Sequence, residues 1–512
     1  MHLPEQGPGL VNPLRVKVAK RDRQLHSAAE VPAGRTSCEH RSVSAADLSV
    51  EMMQQFLDSG SQEHMTVLMG AGASTSSGLP DWDTFAIRLL LKSGAVNDEP
   101  VAQLLMDRQD PMLVVEAARA AAGQRWDQIL RAALYQGVVS EEPSPLHLAA
   151  VANLLDTDAP TTDLATLNFD TLLEAAIEQE TGVPAESVTN GQRIGGVAHA
   201  VHHLHGVIQR DRSHQVILTL SEFYDVIADH SAWQADYIAS AVARGALLIA
   251  GTSYRDPDLR HWLHAALKDK PDDRAAIVML AREGFALTKT QFKMAREVLA
   301  NQWRAVGIEP VLLEDHADAA QLIRELLHVH DEGYVAPQQR ARAVWDKHAD
   351  DFEDLQYTYV ELLEGDARTM RSELGVTRLN LTLWLADGEG SLVRWAAHDR
   401  VYRDLEALRA VETGHDSQWI AGRALAGESL LHKDLEVEGT RRWKSVLALP
   451  ISVPHPRLPA MVSAVLTIGL PTPAAEFEPT ASIWGLPLQD IGNAWGERLG
   501  FIAFEEQWSE VS

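Results

Sequence analysis

Between residues 50 and 330 the chain alternates short, continuous apolar runs with segments of helical period, and that alternation restricts its fold more than any other feature. The runs "TVLMG", "DLATLNF", "AVHHLHG", "ALLIAGT", "AAIVML" and "EPVLLE" end in small or polar residues. Between them, "DTFAIRLLLKSG", "MLVVEAARAAAG", "PLHLAAVANLL", "TLLEAAIEQETG", "DLRHWLHAALKD" and "AAQLIRELLHVH" carry apolar residues at helical spacing. Strands that are apolar throughout and separated by helices belong in a parallel sheet covered on both faces. A doubly wound α/β fold is expected.

Bulk properties exclude several classes. At 512 residues the chain is too long for one ordinary domain, and 46% hydrophobic content suffices for packed cores. A net charge of −27 argues against general binding to a phosphate backbone, so direct nucleic-acid binding is not expected. An anionic ligand would be held by local amides rather than by the global field. Cys38 is the only cysteine, which rules out an intrachain disulfide and a cysteine-based zinc cluster. No apolar run of about 18 residues occurs, and the start lacks the apolar core of a signal peptide, so a cytoplasmic protein without membrane contact is expected. Residues 1–48, rich in Pro, Gly, Ser and charge, read as a disordered arm.

Four strand ends carry polar groups. "GAGAS" (70–74) follows the first run, with glycines where backbone could approach a pyrophosphate, although Thr75 breaks the full G-x-G-x-x-G pattern. "TLNFDTL" places Asn168 and Asp170 past the second, and "HLHGVI" places His205 and Gly206 past a third. "IAGTSYRDPDL" adds Gly251, Thr252 and Ser253. Alone, Asn168 could make an Asx-turn, His205 could be a core imidazole, and Thr252-Ser253 could cap a helix. In an open α/β sheet, however, such ends converge on one rim, where ligands bind.

In this order "GAGAS…SGLPDW", "LNFD", "HLHG" and "GTSYRDP" resemble the Sir2 (sirtuin) fold, over roughly residues 50–330. Their spacing and replacements resemble the Sir2-like NAD hydrolases of bacterial antiphage defence more closely than the protein deacylases. The resemblance implies NAD+ as substrate, with Gly70, Ala71, Gly72 and Ser74 around the pyrophosphate and Pro80, Asp81 and Trp82 in a loop over nicotinamide. It further implies Asn168 at the nicotinamide ribose, Asp170 near the carboxamide, His205 as catalytic base, and Gly251, Thr252 and Ser253 at the adenosine half. The zinc module of the family's deacylases has no counterpart, because no cysteine lies between Gly206 and Gly251. Where that family reads Pro-Asp-Phe-Arg, this chain has Pro80-Asp81-Trp82-Asp83. Both departures favour hydrolysis over deacylation, with nicotinamide and ADP-ribose as products; a cyclised product stays open.

"HAVHHLHG" invites a rival reading as a metal cluster. On a strand, His199, His203 and His205 would share one face and His202 the other. Neighbours on one strand splay too widely for a tetrahedron, so no metal is expected.

The expected domains are a catalytic domain over 49–333, a helical connector over 334–360 and a smaller α+β domain over 361–512. The last shows a hairpin around an Asp-Gly turn in "TRLNLTLWLADGEGSLVRWAAH" and resembles the GAF sensor fold. That resemblance implies homo-oligomerisation, or control by a small-molecule activator or a defence-system partner. Two further functions compete with NAD+ hydrolysis: a protein deacylase or ADP-ribosyltransferase, and a non-catalytic nucleotide sensor.

Overall fold

The computed structural model describes residues 64–138, 142–156, 161–229, 232–252, 257–267, 276–329, 331–435 and 442–511, together with the strand Lys17–Val18. The remainder of the expected arm over 1–48 lies outside the described residues. The chain divides between Ala336 and Pro337 into two compact units.

The first unit is built on seven strands: β1 (His64–Met69), β2 (Thr161–Thr166), β3 (Glu186–Val188), β4 (Ala200–His203), β5 (Ala246–Ala250), β6 (Ala276–Ala281) and β7 (Glu309–Leu313). Their order is β7-β6-β5-β1-β2-β4-β3, and every pairing is parallel. All residues of β1, β5 and β6 are buried, because the sheet is covered on both faces. Met65, Val67 and Met69 pack toward helices α2 (Pro145–Leu155) and α7 (His316–Leu326). Leu68, Leu247 and Ile249 pack toward α4 (Trp233–Arg244), α5 (Pro257–Leu267) and α6 (Lys289–Arg304). Helix α1 (Trp82–Ser93) joins a separate helical cluster around Phe85, Leu89, Val115 and Leu130. Helix α3 (Leu172–Thr181) follows β2.

The second unit is an antiparallel sheet of β8 (Asn380–Ala386), β9 (Ser391–Ala397), β10 (Ala410–Glu412), β11 (Leu431–Asp434), β12 (Ser445–Val453) and β13 (Met461–Leu470). Its order is β11-β12-β13-β8-β9-β10, with Lys17–Val18 added in parallel beside β11. The expected hairpin is β8–β9, closed by Asp387, whose Oδ1 accepts from Glu389 N at 2.7 Å and Ser391 N at 2.9 Å. The region that includes the expected helical connector over 334–360 forms two helices, α8 (Pro337–Asp350) and α9 (Phe352–Glu373). Val344, Phe352, Tyr359, Leu363 and Met370 bury one side of both in this unit's core. Polar residues on their outer sides hid that inner stripe in the sequence.

Helix α11 (Ala481–Ala503), which follows α10 (Ile420–Gly427), lies against β12 through glycines. A Cβ on Gly496 would stand 2.2 Å from the Ser452 carbonyl oxygen, and one on Gly500 would stand 2.6 Å from the Pro454 carbonyl oxygen. Gly496→Ala is expected to destabilise the protein by about 1–3 kcal/mol through overpacking, measured as a lower denaturation midpoint. An unchanged midpoint would show that helix and strand are not in this contact.

Two buried histidines, His348 and His147, make stability depend on pH. His348 donates from Nδ1 to the Val344 carbonyl at 2.7 Å and faces the Tyr359 hydroxyl with Nε2 at 2.8 Å. Burial lowers its pKa to about 4 and that of His147 to about 3. Both are neutral when folded and take up protons on unfolding below pH 6.5. Their contribution is therefore intact above pH 6.5 and is lost as pH falls toward 4. The melting temperature should drop between pH 7 and 4.5, with a shallower slope in His348→Gln; parallel slopes would contradict this account.

Candidate active site

The strand order makes the site. From β1 the chain runs to β2, on to the edge strand β3 and back to β4 between them, then crosses to the other side of β1 as β5. The crevice at such a reversal lies beyond the carboxyl ends of the strands. Here the turns after β1 and β5 meet directly. Gly70 N donates to Ala250 O at 2.9 Å and Gly72 N to Gly251 O at 2.7 Å. A Cβ on Gly70 would lie 2.8 Å from Gly251 O, and one on Gly251, whose φ is +69°, would lie 2.6 Å from Ala73 N. The glycines thus let two turns interlock, and two of their amides are already used there. After them comes only a single helical turn, Gly72–Thr75. The first long helix after the glycine turn begins only at Trp82.

Asn168 is the hinge of the arrangement. Its buried side chain donates from Nδ2 to Gly70 O at 2.9 Å and to Ser74 Oγ at 2.8 Å. Because a carbonyl oxygen only accepts, the contact with Gly70 fixes which end of the carboxamide is the amine. Both amine hydrogens are then used, and Oδ1 is the acceptor the residue can present. Asn168 N is held by Thr166 Oγ1 at 2.9 Å. Asp170 Oδ1 accepts from Leu172 N at 3.1 Å. Burial pushes the Asp170 carboxyl up to about 6, against the opposing pull of the Ser74 hydroxyl, the Leu172 amide and His203.

Leu204 N bonds Thr166 O at 3.0 Å, which carries the pairing of β2 and β4 into the following turn. His205 lies just beyond, buried, with Nδ1 3.3 Å from Leu167 O. A carbonyl can only accept, so Nδ1 holds the proton and Nε2 is the basic nitrogen of the neutral ring. Phe169 and Trp262 flank the imidazole, at centroid distances of 6.4 and 5.9 Å. Gly206 turns the chain with φ +83°, and Ile217 N ties His205 O at 2.9 Å.

His199, His203 and His205 do not line one face of a strand as alternation suggested. The strand ends at His203, so His205 sits in a turn. His203 Nε2 engages Glu174 at 2.7 Å, and the His202 ring lies against Tyr237 at 4.6 Å between centroids.

The other expected residues divide. Ser74 and Thr252 are buried at the rim, while Ser253 lies outside the described residues. Pro80 is half-buried, and Asp81 caps α1, with Oδ1 accepting from Thr84 N at 2.8 Å. Trp82 packs edge-on to Phe85 at 6.4 Å. Two neighbours escaped the sequence reading. A Cβ on Gly72 would come 2.5 Å from Cε1 of His316, the first residue of α7. Trp262 walls His205 from α5. His316 had one available signal, its place directly after the "EPVLLE" strand; Trp262, inside an ordinary amphipathic pattern, had none.

Residues 162–311 match the model of the SIR2-like domain. That stretch includes Asn168, Asp170, His205, Gly251 and Thr252. The glycine turn at 70–74 precedes the matched SIR2-like stretch and joins it in space through the pairing of β1 with β2 and β5. A solved structure described as "Structural Basis for the Mechanism and Regulation of Sir2 Enzymes" is similar at 14% identity, covering 55% of this chain and 96% of its own, with a TM-score of 0.29. No curated protein matches the chain. Among the described residues, no helix is long and apolar enough to cross a membrane.

Proposed function

We propose that this protein hydrolyses NAD+ at the nicotinamide–ribose bond, releasing nicotinamide and ADP-ribose. The observation that carries the reading is that adjacent strand ends hold a buried His205, its Nδ1 on the Leu167 carbonyl, and a carboxamide, Asn168, locked by Gly70 and Ser74. Breaking the bond builds positive charge at the ribose C1′, and nicotinamide leaves from a cationic state without acid help. What the reaction needs is an oriented ribose and water, and a base whose pKa lies near working pH. Asn168 Oδ1 would accept from a ribose hydroxyl or the attacking water, and His205 Nε2 would take the proton. The buried Asp170 carboxyl would face the nicotinamide carboxamide. Gly70, Ala71, Gly72 and Ser74 would lie along the pyrophosphate, Pro80, Asp81 and Trp82 over the nicotinamide, and Gly251, Thr252 and Ser253 at the adenosine.

The test is direct: purified protein is incubated with NAD+, and nicotinamide release is followed with and without an acetylated peptide. Release that ignores the peptide is expected, consistent with the lack of cysteines between Gly206 and Gly251. Release that requires the peptide would favour a deacylase, and none under any condition would favour a nucleotide sensor.

We also assign the second unit a regulatory role, as a sensor-like module that drives self-association of a cytoplasmic antiphage effector. Deleting residues 337–512 should change both the oligomeric state and the rate of NAD+ hydrolysis. A folded truncation with unchanged assembly and rate would remove that role.

A further inference from the structure

The strand that leads to His205 also carries His203, which the chemistry above leaves unused. Its side chain is fully buried. Nδ1 lies 3.2 Å from the main-chain oxygen of Asn168, and Nε2 lies 2.7 Å from Glu174 Oε1. A carbonyl and a carboxylate both accept, so the ring donates from both nitrogens, as an imidazolium does. Burial opposes that charge, but Glu174 and the Asn168 carbonyl outweigh it and hold the pKa above the ordinary histidine value. Glu174, on the first turn of α3, also accepts from Ser187 Oγ on β3. Its Oε2 has no hydrogen-bond partner among the described residues.

Stability alone is a poor reason for such a pair. Well-packed apolar residues of similar volume commonly serve a core as well as, or better than, a buried ion pair. What the pair touches supplies a better reason. Asn168 is gripped at its amide by Thr166, at its carboxamide by Gly70 and Ser74, and at its carbonyl by His203. Only the last grip comes from β4, the strand that also sets the position of His205.

We propose that His203 and Glu174 are positioning residues: Glu174 orients the His203 ring, and His203 fixes the Asn168 backbone in register with the His205 turn. This rests on the NAD+-cleavage reading, and the experiment separates the two. Full-length wild type, Glu174→Gln and the apolar double variant Glu174→Met/His203→Leu are compared for nicotinamide release and thermal unfolding. The double variant should melt close to wild type, yet its kcat should fall about 10- to 100-fold with KM within about threefold, as small misplacements of reacting groups do. Glu174→Gln should lower kcat in the same sense, and ¹⁵N spectra of its histidine rings should lose the doubly protonated signal of His203. A double variant that is stable and as active as wild type overturns the proposal. Should that variant fail to fold, a Glu174→Gln enzyme with unchanged kcat overturns it equally. A wild type that releases no nicotinamide defeats the underlying function instead.

Discussion

His205→Ala is expected to lower NAD+ hydrolysis by about 10²- to 10⁴-fold, the range for loss of a general base. The variant should remain folded, which a cooperative thermal unfolding transition checks. Asn168→Ala should fall by at least about 10²-fold, since the ribose and water would lose their acceptor. Asn168→Asp is the sharper test. A carboxylate has the same shape but cannot donate to Gly70 O, so two oxygens would meet where Nδ2 now sits at 2.9 Å. It should be no more active than the alanine variant. Turnover near wild type in either His205→Ala or Asn168→Asp would mean that the site has been assigned to the wrong residues.

Gly206→Ala is expected to damage fold and activity together. The residue has φ +83°, and an added Cβ would lie 2.1 Å from the Gln215 carbonyl oxygen. The backbone conformation alone costs roughly 1–3 kcal/mol for a residue with a side chain. Relieving the overlap means separating the 204–206 turn from residues 214–217, and His205 moves with it. Gly182→Ala provides the comparison: φ is +70°, with nothing within 4 Å of the added atom. That variant should show only the conformational cost and keep its turnover. Equal denaturation midpoints for the two alanine variants would refute the steric account.

The parallel sheet was legible because strands buried on both faces leave unbroken apolar runs such as "ALLIA" and "AIVMLA". The rim was legible because a strand that ends in Gly, Asn or His gives up apolar burial for something. Other features depend on distant partners and leave no local trace. The edge strand β3 is three residues long, too short for a pattern. The glycines at 70 and 72 looked like room for a ligand, whereas their immediate neighbours are Gly251, Thr252 and His316. His203 sits one residue from Leu204 and two from His205, and only α3 packing across β4 distinguishes its environment. Helices α8 and α9 looked like a solvated connector because their buried residues are widely spaced among charges.

The central place of β1 has a consequence for synthesis of the chain. Met65 pairs with Thr162 on one side and Ala246 on the other, so this strand is made long before either neighbour. At the usual elongation rate of about 5–20 residues per second, the second partner follows roughly ten to forty seconds later. Until β2 emerges a strand apolar on both faces has no native edge to join, one of its edges stays open until β5 follows, and non-local pairing of this kind forms slowly. The nascent chain should therefore depend on chaperones until β5 emerges, and yields of soluble protein should rise when translation and folding are slowed together at lower temperature.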